Sequence, residues 1–158
     1  GVIAGEPIEN GGDRLTGGRA RYRLYSASDG RQVAVGALEQ KFWDAFCNVI
    51  DLPRHLRDDL ADPAATKAEV ARRIVVKPSA HWAPLLEAAD CCCTIVKTPA
   101  EAAADPHFTA RDTFGRVVSV GGEQVPALPL PIAPEFRGAV ADSRAAPDLG
   151  EQNAEFGL

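Results

Sequence analysis

Two short β-prone segments on either side of a turn signal constrain the N-terminal half of this chain most strongly. Aromatic, β-branched and small residues fill positions 22–27 and 32–37, and Ser28-Asp29-Gly30 lies between them. Asp followed by Gly is typical of a tight turn, because glycine accepts the positive φ angle that such turns require. The sequence therefore predicts a β-hairpin at this point of the chain.

A helical pattern follows the hairpin, from about Glu39 to Ile50, and Pro53 ends it. The apolar residues of this segment recur at helical spacing on one face, with two more beside them: Phe42, Phe46, Val49 and Ile50, then Trp43 and Cys47. Such a face is typical of an amphipathic helix with one buried side.

Further helices are indicated by their capping residues. Asp62-Pro63 is an N-cap followed by proline, and it opens a helix to about Val76 with a buried stripe of Val70, Ile74 and Val75. Ser79 is expected to cap a short helix that carries Trp82, Leu85 and Leu86. Thr98-Pro99-Ala100-Glu101 reads as a capping box, and Asp105-Pro106 interrupts the helix that it opens.

The remaining patterns predict a strand over 91–96 and a second hairpin over 114–120 and 124–128. From Pro126 onward prolines recur, which predicts an extended segment that cannot form its own core. The fold class is therefore α+β: a small β-hairpin and sheet domain with three to four helices, followed by an extended Pro-rich C-terminal segment. We expect a linker or glycine loop over 1–18, the small domain over 19–125 and the extended segment over 126–158.

Charge and composition exclude several classes of partner. The 158 residues carry a net charge of -5, and the basic residues are scattered among acids, so no nucleic-acid partner is expected. No apolar run reaches the roughly 18 residues of a membrane span, so no membrane partner is expected either. The four cysteines, Cys47 and Cys91 to Cys93, lack metal-ligand and disulfide spacing. We predict that they are reduced, in a cytoplasmic protein.

The residues alone indicate little chemistry. His55, His81 and His107 are far apart and lack metal-ligand spacing, so no metal site is expected. No phosphate-binding glycine motif occurs. Glu39 opens a helix directly after an apolar strand, where a carboxylate interacts well with the helix dipole. By itself this evidence describes an α+β domain of unknown function.

A resemblance adds to this description. It rests first on Leu15-Thr16-Gly17-Gly18, Tyr22, Tyr25, Asp29-Gly30 and the run from Val33 to Trp43. Later stretches continue it in the same order: Trp82 with Leu85 and Leu86, Asp90-Cys91-Cys92, Pro99-Ala100-Glu101-Ala102, Asp105-Pro106-His107-Phe108 with Arg111, and Ala146 to Glu151. This pattern over residues 15–151 resembles the small domain and C-terminal segment of family III CoA-transferases.

The resemblance implies an enzyme that acts on CoA thioesters as substrates, with no tightly bound cofactor. It implies a large Rossmann-like domain that carries a nucleophilic aspartate upstream of the residues in this chain, and interlocked homodimers. Gly17 and Gly18 resemble a mobile glycine loop that covers the active site in some transferases, a role that glycine permits physically. Glu39 matches a glutamate that supports the catalytic histidine in the racemase branch.

Three functions stay open on the sequence. The first is the C-terminal part of an acyl-CoA transferase, which moves CoA between carboxylic acids through an aspartyl-CoA intermediate. The second is the corresponding part of an α-methylacyl-CoA racemase. The third is a non-catalytic standalone module or subunit. For either enzyme, we expect this chain alone to be inactive, because the resemblance places the nucleophile elsewhere.

Overall fold

The computed structural model describes residues 11–127, 132–136 and 145–157. They divide into two compact units, one that ends at Val96 and one that begins at Lys97. Helices and small antiparallel sheets occur in the chain, so the predicted α+β class is confirmed. Compactness alone does not test the expected boundaries at 18 and 125, which stay predictions.

The predicted hairpin forms the first sheet. Strand β1 (Tyr22–Ser26) pairs antiparallel with β2 (Gln32–Gly36), which pairs antiparallel with β3 (Cys93–Ile95). In this register Tyr25 lies opposite Val33, and Val35 lies between its partners Arg23 and Cys93. Gly30 has a φ of 80°, the left-handed conformation that the turn requires.

Three helices complete the first unit: α1 (Gln40–Val49), α2 (Pro63–Ile74) and α3 (Ser79–Ala89). Side chains from these helices and from one face of the sheet form a single apolar core. Its largest fully buried members include Trp43, Phe46, Leu52, Ile74 and Leu86. The apolar faces of the three helices thus cover the sheet face that carries Tyr25, Val33 and Val35.

One detail of the predicted core is wrong. Val75 is 47% exposed, because α2 ends at Ile74 and Val75 is only its C-terminal cap. The predicted apolar face of the first helical segment is confirmed, since Phe46 and Ile50 are buried and Phe42 and Val49 are half-buried against the core. Trp43 and Cys47, which the sequence placed beside this face, are fully buried as well.

The start of α3 also differs from the prediction. Ser79 is the first helical residue rather than the cap. Its backbone N–H and its hydroxyl both donate to Asp29 Oδ2, at 2.9 and 2.6 Å. The carboxylate of the hairpin turn therefore satisfies the helix end, and these hydrogen bonds lower the pKa of Asp29. One side chain thus links the turn between β1 and β2 to the start of α3.

The cysteine segment is shorter as a strand than expected. Strand β3 begins only at Cys93, because Cys92 has a φ of 55° and leaves the extended conformation. All four cysteines are free, as predicted. Cys47 and Cys91 are buried, and burial raises the pKa of the Cys47 thiol to about 12. Cys92 is exposed and does not act as a core residue.

The second unit contains α4 (Pro99–Ala103), α5 (Pro106–Ala110) and the predicted second hairpin, β4 (Val117–Val120) with β5 (Glu123–Pro126). The capping box of Thr98 and Glu101 is confirmed. Asp105 caps α5, so the predicted interruption divides the segment into two helices. The described residues thus contain five α-helices, where three to four were expected. The predicted end of the hairpin at Leu128 lies outside the described residues.

Only parts of the segment over 126–158 belong to the described residues. They contain two short 3-10 helices, Pro134–Phe136 and Asn153–Phe156. Ala145 forms an isolated parallel bridge with Ser119 of β4, and the N–H of Ala146 donates to the Ser119 carbonyl at 2.7 Å. The two residues thus add a short backbone pairing beside the second hairpin.

A buried carboxylate connects distant parts of the first unit. The Asp59 side chain is fully buried and accepts hydrogen bonds from Arg19 and Arg21, with the shortest N···O distance 2.7 Å for each. Arg21 also donates to the Leu38 carbonyl at 3.2 Å and lies over the Trp43 ring. The cluster joins the start of β1, the start of α1 and the loop before α2.

Replacement of Asp59 by asparagine is expected to lower the free energy of unfolding by about 3 kcal/mol, because two guanidinium groups lose their buried charge partner. Urea denaturation followed by circular dichroism measures this change. Asp51→Asn is the control, since Asp51 is almost fully exposed and its loss is expected to cost under about 0.5 kcal/mol. Equal stability of the two variants would contradict the assigned role of Asp59.

The same cluster predicts how stability depends on pH. Burial opposes ionisation of Asp59, but hydrogen bonds from Arg19 and Arg21 outweigh it, and the pKa of Asp59 is lowered. The contribution of ionised Asp59 to the free energy of unfolding is therefore complete above its unfolded-state pKa of about 4. This contribution is lost as the pH falls through the lower folded-state pKa. The stability difference between the wild type and Asp59→Asn should narrow below about pH 4. A difference that widens on acidification would be inconsistent with this cluster.

Candidate functional site

An open groove lies along the sheet face that the core leaves free. Its walls come from β1, β2, the segment around β3 and the loop before β1, and its volume is about 570 Å³. Ligand pockets of small molecules are typically of this size. The lining is mostly apolar in character: Gly11, Leu15, Thr16, Gly17, Tyr22, Arg23, Leu24, Ala34, Val35, Gly36, Cys92 and Thr94.

The period of a β-strand explains part of this lining. Tyr25, Val33 and Val35 are buried in the core, so Tyr22, Leu24, Ala34 and Gly36 belong to the opposite face. Arg23 and Val35 line the groove too, although alternation gives them the parity of the core face. Leu24 is 56% exposed and Leu15 is 55% exposed. Such exposed apolar side chains on a sheet face are characteristic of a surface that receives a ligand or partner.

The loop over 11–18 is folded back on itself beside the groove. The carbonyl of Asp13 accepts from the N–H groups of Thr16 and Gly18, at 3.1 and 2.9 Å, and the Asp13 N–H donates to Thr16 Oγ1 at 3.0 Å. Gly17 has a φ of 108°. A Cβ at Gly18 would lie only 2.2 Å from the Gly12 carbonyl oxygen, so the backbone packing excludes any side chain there.

The two glycines predicted as site residues are both required by the backbone geometry of the loop, but only one of them reaches the groove. Gly17 lines the groove, and Gly18 does not. Gly18 instead allows the loop to close on itself, and Arg19 directly after it is held by Asp59. Their predicted role as a mobile cover stays a prediction.

Arg23 connects this loop to the sheet. Its Nη1 donates to the Gly17 carbonyl oxygen at 2.6 Å, across six residues of sequence. The side chain borders the groove at β1 and also a neighbouring groove formed with α2, where Lys67 and Ala68 lie. The sequence did not single out Arg23. The strand pattern indicated its position but not that it reaches the loop.

Glu39 lies outside the groove lining. It is the N-cap of α1, with an extended backbone (φ -73°, ψ 143°), and its exposed side chain makes no capping hydrogen bond. The carboxylate is thus accessible from outside the first unit. The structure does not bring Glu39 together with Gly17 and Gly18 in one lined cavity.

The ionisable side chains in the described lining of the groove are those of Tyr22, Arg23 and Cys92, and this lining contains no aspartate, glutamate or histidine. The described residues also hold no group of three or more histidine, cysteine or acidic side chains that could bind a metal ion. The described lining thus offers a phenol, a guanidinium and a thiol but no carboxylate or imidazole.

Comparison with models of protein families identifies the family of this chain. A model of CoA-transferase family III matches residues 2–153. This chain belongs to CoA-transferase family III. Groove residues Leu15, Thr16, Gly17 and Tyr22 are among those that carried the resemblance in the sequence. The family assignment predicted from the motifs is confirmed.

Individual relatives agree with the family assignment. The chain is 30% identical over 147 residues to alpha-methylacyl-CoA racemase of Mus musculus, which covers 89% of this chain and 37% of the racemase. Its fold is similar to that of a CAIB/BAIF family protein from Brucella suis (TM-score 0.60, 23% identity, 98% of this chain and 41% of that one). It is also similar to Rv3272 from Mycobacterium tuberculosis (TM-score 0.62, 23% identity, 88% and 41%). This family III chain thus spans about two fifths of the length of these relatives.

None of the helices among the described residues of this family III chain is both long and apolar enough to cross a membrane.

A substitution tests the closed form of the loop. Gly18→Ala is expected to open the loop, because the new Cβ cannot fit against the Gly12 carbonyl. Amide hydrogen exchange over 11–18 should then accelerate about tenfold or more, while the core helices keep their protection. Gly30→Ala is the control for backbone strain outside the loop, since Gly30, unlike Gly18, has a positive φ (80°) and its Cβ would meet open space. It should leave exchange over 11–18 unchanged. Unchanged exchange in Gly18→Ala would show that the loop is not closed in this way.

Proposed function

We propose that this chain is the small-domain and C-terminal portion of an enzyme that acts on acyl-CoA thioesters, and that its groove receives the acyl part of the substrate. The observation that carries the proposal is the apolar groove of about 570 Å³, which lies beside the glycine loop in a family III chain. Burial of hydrocarbon against Leu15, Tyr22, Leu24 and Ala34 would supply binding energy.

The first candidate reaction is transfer of CoA between carboxylic acids, as the family's name implies. In this scheme an aspartate of a large domain attacks the thioester carbonyl, releases the CoA thiolate and leaves a mixed anhydride. The thiolate then attacks the aspartyl carbonyl, which releases the first acid and forms an aspartyl-CoA thioester. The acceptor carboxylate reverses the two steps and leaves as the new CoA thioester.

The lining of the groove is consistent with this division of roles. It offers apolar surface and one guanidinium group but no carboxylate among its described residues. The resemblance assigns the nucleophilic aspartate to the large domain, and this chain would bind and cover the substrate. An interlocked homodimer and a cytoplasmic location are part of the same proposal, and both rest on the resemblance.

Racemisation of a 2-methylacyl-CoA is the second candidate, because the mouse relative with 30% identity is an alpha-methylacyl-CoA racemase. Here Glu39 would have a role. Its exposed carboxylate at the start of α1 could accept a hydrogen bond from a histidine of the large domain and orient that imidazole. Many transferases of the family resemble this chain in their Ala-Leu-Glu residues, so the presence of Glu39 does not by itself establish a racemase.

Two assays distinguish the candidates. The chain is tested alone and after mixing with a family III large domain from the same source. Formation of octanoyl-CoA from acetyl-CoA and octanoate reports transfer, and deuterium uptake at C2 of a 2-methylacyl-CoA in D₂O reports racemisation. We expect no activity from the chain alone and octanoyl-CoA from the mixture. Transfer by the chain alone would overturn the assignment of the nucleophile to a large domain.

Glu39→Gln supplies the residue-level test. For a racemase, deuterium uptake by the mixture should fall about tenfold or more, because the imidazole loses its charged partner. For a transferase, octanoyl-CoA formation should stay unchanged. Glu87→Gln is the matched control, an equal change of charge on an exposed residue of α3. A similar loss in both variants would point to a general charge effect.

A further inference from the structure

We propose that Arg23 binds the carboxylate of a free acid substrate, so that the groove takes monocarboxylic acids with an apolar body. This inference rests on the proposed function and specifies its substrate class. The juxtaposition that carries it is a single guanidinium group at the edge of an otherwise apolar groove, next to the glycine loop.

The guanidinium of Arg23 has more N–H donors than its hydrogen bond to the loop uses. A guanidinium has several N–H groups in a fixed plane, which match the two oxygens of a carboxylate. In the structure its recorded hydrogen bond uses one of them, from Nη1 to the Gly17 carbonyl. Among the ion pairs of the described residues Arg23 has no acidic partner. Its remaining donors are available to an external anion.

The described charged groups around Arg23 are mostly positive. The nearby cluster of Arg19, Arg21 and Asp59 has two positive groups for one negative group, so it does not neutralise Arg23. Lys67 lines the adjacent groove with Arg23 and is likewise in no described ion pair. The described groove lining has no acidic residue. A protein with a net charge of -5 therefore presents a locally positive edge here, which favours an anion.

The groove restricts the shape of a ligand that also contacts Arg23. The groove walls beyond Arg23 come from Leu15, Tyr22, Leu24 and Ala34, which offer apolar surface. A ligand that fits both parts needs a carboxylate at one end and hydrocarbon at the other. A small inorganic anion would leave the apolar wall exposed, and a neutral hydrocarbon would leave the guanidinium without a partner.

Binding of a carboxylate at Arg23 would also affect the loop over 11–18. Because the same guanidinium holds the Gly17 carbonyl, a carboxylate on its free donors would fix the side chain and hence the loop. Arg23 is thus a specificity residue for the acid and a positioning residue for the loop over 11–18.

The test follows amide shifts of the full chain by NMR during titration with octanoate. Octanamide serves as the neutral isostere, and sodium phosphate serves as the inorganic anion. We expect octanoate to shift the amides of Gly17, Gly18 and Tyr22 and to bind about tenfold or more tightly than octanamide, as expected for a charge-assisted hydrogen bond. Phosphate should leave these amides unchanged.

Variants assign the effect to the side chain. Arg23→Gln should remove the preference for octanoate and leave octanamide binding unchanged, and it should accelerate amide exchange at Gly18. Arg23→Lys should retain part of the preference, because it keeps the charge but not the planar set of donors. Arg54→Gln is the control, the same change on an exposed arginine that lies outside the groove lining.

Every other outcome overturns the inference. Equal binding of octanoate and octanamide, or a preference that survives in Arg23→Gln, would exclude carboxylate recognition by Arg23. Equal shifts with phosphate would indicate a general anion site, and no shift with either organic probe would exclude binding in the groove of this chain. The transfer assay with the large domain is independent of these results, so failure here and failure of the proposed function can be told apart.

Discussion

The first unit depends on the buried Asp59 carboxylate and its two arginines. Arg19 follows the glycine loop, Arg21 precedes β1, and Asp59 lies in the loop before α2, about forty positions later in the chain. Arg21 also reaches Leu38 before α1 and lies over Trp43, whose indole N–H donates to the Arg57 carbonyl at 2.7 Å. Paired in this way, charged groups that would be costly to bury alone instead fix how the hairpin, α1 and α2 meet.

The glycine loop is anchored unevenly. Its C-terminal end is held through Arg19 by a fully buried carboxylate, whereas the rest is held by the turn around Asp13 and by one hydrogen bond from Arg23. Leu15, in the middle of the loop, is more than half exposed. Segments with few buried apolar contacts open locally at a lower free-energy cost than global unfolding, so this anchoring is compatible with the predicted role of the loop as a cover.

Local signals in the sequence predicted most of the elements. The Asp29-Gly30 turn, the Asp62 cap and the Thr98 capping box each act within a few residues, and all three occur in the structure. Long-range contacts were not predictable in this way: Asp59 meets Arg21 across 38 residues, and Asp29 meets Ser79 across 50. The groove was predictable only in part, because strand alternation gives the face of Tyr22 and Leu24 but not the loop beside it. Val75 was misplaced because periodicity does not reveal where a helix stops.

The chemistry of the groove separates the two candidate reactions at the level of their substrates. Transfer needs a site for a free carboxylic acid as well as for a thioester, whereas racemisation needs only the thioester, whose acyl carbonyl is neutral. Because CoA carries phosphates in both reactions, the charge of Arg23 alone does not separate them, whereas a preference for octanoate over phosphate at this groove would. Glu39, whose proposed role belongs to racemisation, lies outside the groove lining. Carboxylate recognition at Arg23 would therefore favour transfer, even though the mouse relative is a racemase.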